Sequence, residues 1–152
     1  MVVRNGNADA VAQAIHDKKA PGIGTWGSTT ASAVDAEGNE HPVSFTRYQD
    51  KNVYIYLFIR LLEGGDAAAA EAAVKPAVFS YVNGLGLAEP LNIPRLYGVG
   101  YAADPALART FIITDIQVSA IGAGAMARDI IECAWNQKIT APPEIGVDIT
   151  FT

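Results

Sequence analysis

The chain has 152 residues, 50% of them apolar and 18% charged, with 11 basic against 16 acidic side chains and a formal net charge of −5. A fold of this length hides roughly 70% of its unfolded surface, and the apolar surplus beyond what one small domain conceals reads as interface. The acidic balance without a basic block argues against binding the phosphate backbone of nucleic acid, the single Cys133 excludes an intramolecular disulfide and fits a reducing cytoplasm, and no run reaches the ~18 apolar residues of a membrane span.

Arg4, Asp9, Asp17, Lys18 and Lys19 occupy the stretch where a signal peptide carries its apolar centre, so a soluble, unexported chain is expected. Residues 8–18 place Ala8, Val11, Ala12 and Ile15 on one helical face. Asn5 or Asn7 serves as cap, and Pro21-Gly22 stops the helix. Residues 29–35 and 41–48 form a hairpin whose turn uses the tolerance of Gly38 and Asn39 for positive φ.

Residues 52–62 alternate Val53, Ile55, Leu57, Ile59 and Leu61 on one face with Tyr54, Tyr56 and Phe58 on the other, which predicts a strand with two apolar faces. Such a strand is either central to a two-layer domain or covered on one side by helix and on the other by a further layer or subunit. After the Glu63-Gly64-Gly65-Asp66 break, an alanine-rich helix runs to Val82 with a kink or restart expected at Pro76, and Asn83-Gly84 supplies a left-handed cap. A shorter helix covers residues 92–102, with Pro94 in its first turn and Gly98 and Gly100 admitting close approach.

Residues 110–119 predict a strand, followed by a turn at Gly122-Ala123-Gly124. Residues 129–135 lean to strand over helix, and residues 145–151 form a closing strand. The expected architecture is α+β: a helix, hairpin and long strand over residues 1–63, then two helices packed on further, mainly antiparallel strands over residues 64–152. The boundary is soft enough for the two modules to pack as one unit.

Chemistry-bearing patterns are weak. Gly22-Ile23-Gly24-Thr25-Trp26-Gly27 satisfies G-x-G-x-x-G, but a helix precedes it and a strand follows, the reverse of a pyrophosphate site. It reads as a turn in which Trp26 pins the loop or lies on a partner surface. His16 and His41 have no second ligand at metal spacing, and Asp35, Glu37 and Glu40 read as turn solvation. Asp129 and Glu132 would meet only on a helix, and Cys133 reads as a buried, inert thiol. No catalytic, cofactor or metal site is expected.

Residues 81–97, Tyr-Val-Asn-Gly-Leu-Gly-Leu-Ala-Glu-Pro-Leu-Asn-Ile-Pro-Arg-Leu-Tyr, carry the most informative pattern, together with Val11-Ala12-Gln13-Ala14-Ile15 and the glycine loop of residues 22–28. With Phe45 and Arg47 on the second hairpin strand and the long apolar strand, their order over most of residues 7–119 resembles the C-terminal half of baseplate J-like proteins, structural components of contractile phage tails. The chain departs from that pattern at Pro76 and at Asp104-Pro105-Ala106-Leu107, where relatives often have Pro-Gly-Val. It also lacks their substantial N-terminal region, so a fragment, a prophage remnant or a separately encoded module is implied.

The resemblance implies a non-enzymatic subunit of a phage or prophage tail baseplate. Such a subunit is assembled in the bacterial cytoplasm, forms a homodimer or higher homo-oligomer, and contacts other baseplate and tail proteins. Interface candidates are Trp26, Tyr54, Tyr56, Phe58, Tyr81, Leu96 and Tyr97, because aromatic groups bury large area at little rotamer cost. Each is equally placed as core, and Tyr81 and Leu96 more readily so. The rival expectation is a small-ligand-binding or enzymatic domain with a cleft near residues 84–100, in which Glu89 and Arg95 would act.

Overall fold

The computed structural model describes residues 1–20, 22–120, 125–143 and 146–152, and the chain divides into two units, Met1–Gln49 and Asp50–Thr152. Pro21, the Gly122-Ala123-Gly124 turn and Ile145 lie outside the described residues.

The first unit contains β1 (Val2–Val3), α1 (Ala8–Lys18), β2 (Thr29–Val34) and β3 (Glu40–Arg47). Of the two cap candidates it is Asn7 that starts α1, its side chain accepting from the Asp9 N–H at 2.8 Å. β2 and β3 pair antiparallel from Thr29↔Phe45 to Val34↔Glu40, while β1, unforeseen in the sequence, adds in parallel to the end of β3. In the hairpin turn only Gly38 takes positive φ, at 87°, and Asn39 instead donates its N–H to Asp35 Oδ1 at 2.8 Å. Ala12 and Ile15 of α1 close over Ala33, Val43 and Phe45 to form a small core. The Gln13 side chain bonds both Val34 backbone groups, donating to the carbonyl at 2.9 Å and accepting from the N–H at 2.8 Å, as a neighbouring strand would.

The second unit is organised by β4 (Gln49–Leu61), which pairs antiparallel with β6 (Phe111–Ala120) and parallel with β10 (Val147–Phe151). β9 (Gln137–Thr140) also pairs with β4, and β7 (Met126–Ala127) pairs with β6. A separate short pairing joins β5 (Leu91–Asn92) to β8 (Ile130–Ile131), the segment expected as strand rather than helix. Helices α2 (Ala67–Gly84) and α3 (Pro94–Ala102) pack on the sheet. Val53, Ile55, Leu57 and Ile59 are fully buried with Val74, Val78 and Val82 of α2 and Leu96 of α3. Each such aliphatic side chain contributes about 1.5–3 kcal/mol on burial. The fold is therefore α+β, with the parallel β10 and β1 as departures from a mainly antiparallel arrangement.

Three expectations change. The boundary falls at Gln49 rather than after residue 63, because β4 finds its partners β6, β9 and β10 later in the chain, and the Gly64-Gly65 break is a loop inside the second unit. α2 runs unbroken through Pro76. Pro76 and Ala72, whose carbonyl loses its intrahelical donor, both sit on the exposed side of the helix, so the freed oxygen is not shut in an apolar core. Gly84 is not a left-handed cap: α2 ends on Leu85 in extended conformation, and Ala88, at φ 61°, takes the positive φ in the turn beyond. Asn83 instead ties the helix end to residue 141, donating to the Ala141 carbonyl at 3.2 Å and accepting from its N–H at 3.1 Å.

Candidate functional site

Among the cavities of the described surface, one lies in each unit beside residues of interest. A cavity of about 530 Å³ runs beside α1 in the first unit. Val11, Ala14, Ile15 and Lys18 recur at helical spacing to form one wall, and Met1, Val3, Ile23 and Trp26 complete the apolar lining. The loop that carries Trp26 is fastened on both sides. Gly27 sits so close to the Phe45 backbone that a Cβ there would overlap it, the Thr25 hydroxyl accepts from the Ser44 N–H at 2.9 Å, and Lys19 Nζ donates to the Ile23 carbonyl at 3.2 Å.

These anchors hold Trp26 outward, 85% exposed, rather than using it to pin the loop. A helix end precedes Gly22 and β2 follows Gly27, so the G-x-G-x-x-G pattern meets no helix N-terminus and is a turn.

Fold assembly also brings His16 and His41 together, 25 residues apart in sequence, with ring centroids 5.1 Å apart and planes 21° from parallel. Asp35 accepts from His41 Nε2 at 2.7 Å and from the Glu37 and Asn39 N–H groups, which holds its carboxyl well below the usual carboxylate range, His41 being the largest cause. Asp35 thus organises the turn rather than merely solvating it. Among the described residues no group of three His, Cys, Asp or Glu side chains is arranged to hold a metal ion.

In the second unit, Tyr54, Tyr56 and Phe58 share the face of β4 opposite the buried aliphatics and are half-buried. Their cross-strand neighbours are polar: Ser119, Gln117 and Asp115 on β6, and Asp148 and Thr150 on β10. On this face Arg128 pairs with Asp115 at 2.9 Å, and the guanidinium holds that carboxyl below its ordinary range.

The remaining candidates divide differently. Leu96 is fully buried in the core and Tyr81 packs half-buried against it. Tyr97 uses its hydroxyl to accept from the Ile116 N–H at 3.1 Å, and Tyr101 does the same for Ile113 at 2.9 Å. Gly100 permits this closeness, since a Cβ there would lie 2.6 Å from Ile113 Cδ1; Gly98 faces open space.

Trp135, 63% exposed, is a surface aromatic that sequence reasoning missed. Its signal was available in a tryptophan set against the polar pair Asn136-Gln137, but it lay in a segment too short for periodicity to orient. Leu87 and Ile130 are further exposed apolar side chains of this unit.

Around residues 84–100 the polar groups serve the fold. Glu89 accepts from the Gly86 N–H at 2.6 Å, and Arg95 is exposed. Asn92 Oδ1 is buried without a hydrogen-bond partner. A cavity of about 290 Å³ lies elsewhere in this unit, lined by Lys75, Pro76, Phe79, Pro143 and Val147. Asp129 and Glu132 flank the extended β8 and do not share a helical turn, and the half-buried Cys133 thiol donates to the Gln137 carbonyl at 3.2 Å. No helix among the described residues is long and apolar enough to cross a membrane. The chain matches no family model and no curated protein sequence.

Proposed function

We propose that the chain is a structural subunit of a phage or prophage contractile-tail baseplate, whose work is subunit packing in the wedge or ring rather than catalysis. The observation that carries this reading is that both tryptophans lie on the surface, Trp26 in the first unit and Trp135 in the second. A tryptophan left in water wastes a large burial gain, and at protein interfaces tryptophan is the residue type most enriched among energetic anchors.

The motifs of the resemblance support the same reading by keeping their order along the elements of the fold. Val11 to Ile15 lie within α1, the glycine loop leads into β2, Phe45 and Arg47 end β3, and residues 85–90 link α2 to β5. The half-buried Tyr54, Tyr56 and Phe58 offer a face on which a second copy could pair isologously. The ligand-binding rival near residues 84–100 draws on one observation, the unpartnered Asn92 Oδ1, whereas Glu89 is engaged within its own turn.

The test is to tag the chain in its native host, induce lysis and identify what co-purifies by mass spectrometry. Recovery of baseplate and tail proteins is the expected result. Recovery of the chain alone, or with metabolic enzymes, would sink the assembly reading.

A further inference from the structure

We infer that the groove beside α1 is a docking site for an acidic amphipathic segment of another protein, one that seats apolar side chains between α1 and Trp26 and places carboxylates against Lys18 and Lys19. The inference stands on the first unit alone and holds whichever assembly the chain belongs to.

Shape comes first. α1 has 11 residues, and its Val11, Ala14, Ile15 and Lys18 stripe lies along the groove. At 1.5 Å per residue the eight residues from Val11 to Lys18 make a wall about 12 Å long, the reach of about two turns of a partner helix. Ala12 and Ile15 are buried against the hairpin, but Val11 is only half-buried and Ala14 is exposed, so the apolar stripe is wider than the hairpin covers. Ile23, 57% exposed, and Trp26 face it from the fastened loop. The loop wall is held by the Lys19–Ile23 and Ser44–Thr25 bonds and the α1 wall by Gln13 on Val34, so the groove is formed before any partner arrives, which lowers the ordering cost of binding.

Charge then selects the partner. The whole chain carries 16 acidic against 11 basic residues, yet among the described lining residues the charged ones are Lys18 and Lys19 and none is acidic. Lys19 spends one of its three donors on the Ile23 carbonyl, and two remain. A cationic end on an apolar groove, in an otherwise acidic molecule, repels further cations and attracts a segment with carboxylates at one end. Apolar anchors at i, i+3, i+4 and i+7, preceded by acidic residues favoured at a helix N-terminus, satisfy both demands.

The experiment uses the full chain and three fluorescently labelled synthetic peptides read by anisotropy. The first carries Leu at helical spacing with Glu in its first turn, the second replaces Glu by Lys, and the third replaces Leu by Ser. The first is expected to bind about tenfold or more tightly than the second, and the third not at all. Joint Lys18→Glu and Lys19→Glu substitution inverts the preference between the first two. Trp26→Ala weakens the first about tenfold without changing the thermal unfolding of the protein, since the side chain is exposed.

Equal binding of the Glu and Lys peptides, indifference to charge reversal, or no binding at millimolar peptide would each overturn the inference. So would a concentration-dependent dimer abolished by Trp26→Ala in a protein that ignores the peptides, which assigns the groove to a second copy. Laurate binding there without peptide binding would assign it to a small amphiphile and equally overturn it.

Discussion

Asp35 accepts from two backbone N–H groups, from the Asn39 amide and from His41 Nε2, all within one hairpin turn. These bonds favour the ionised carboxylate, so its pKa is lowered in the folded state relative to about 3.9 in an unfolded chain. A lowered folded pKa contributes stability that is present above the unfolded value and is lost as pH falls from there toward the folded one. Unfolding of the first unit followed between pH 7 and pH 2 should therefore show acid destabilisation beginning near pH 4, and Asp35→Asn should flatten that slope. An unchanged slope in the variant would mean the turn does not depend on the charge. The sequence shows Asp-x-x-Gly-Asn as turn chemistry, but not that His41 closes the turn, because that contact exists only once β3 is paired. Gly27 teaches the same lesson: it resembled part of a nucleotide fingerprint, and the Phe45 backbone lying against it, from 18 residues away, is what requires glycine.

At the scale of elements, period-two alternation made the long strand legible and helical periodicity made α1 and α2 legible, while partner choice stayed hidden. α3 illustrates why. Tyr97 reads as an interface candidate by residue type, yet it and Tyr101 reach β6 and accept from the N–H groups of Ile116 and Ile113. These bonds lie beside an irregularity in the β4–β6 register at Phe58/Ile59, beyond the stretch of β6 that β7 covers, so the hydroxyls satisfy backbone donors where the ladder is incomplete. Tyr97→Phe and Tyr101→Phe should each cost about 1–3 kcal/mol, the range for leaving a buried donor unpaired, read as a lower urea midpoint at unchanged slope. If Tyr97 serves a partner instead, its substitution will leave the isolated chain as stable as before. β9 escaped detection for a related reason: its four residues, Gln137 to Thr140, carry only Ile139 as a fully buried anchor, too little pattern to announce a strand.

Across the whole molecule, each unit owns its core. The first cluster draws on residues 12–45 and the second on residues 53–147. The composition suggested enough apolar material for a core but not its partition, and the glycine-rich break after Leu62 was the most visible punctuation in the chain, so the sequence boundary landed on it. Strand pairing decided otherwise, because β4 is stabilised only by strands that come later. The two cores differ greatly in size. The first rests on five buried side chains in 49 residues, a length at which burial barely offsets chain entropy. The second buries β4, α2, α3 and β6 together. Heating should therefore produce two transitions, the first unit melting at lower temperature. Phe45→Ala, at a cost of about 3–5 kcal/mol, should abolish or shift the lower transition alone, and Leu57→Ala, at about 2–5 kcal/mol, the upper. Residues 50–152 expressed alone should keep the upper transition and a dispersed amide spectrum. A single cooperative transition moved equally by both substitutions would refute the partition, since the energetic unit would then be the whole chain and not the two cores that strand pairing draws.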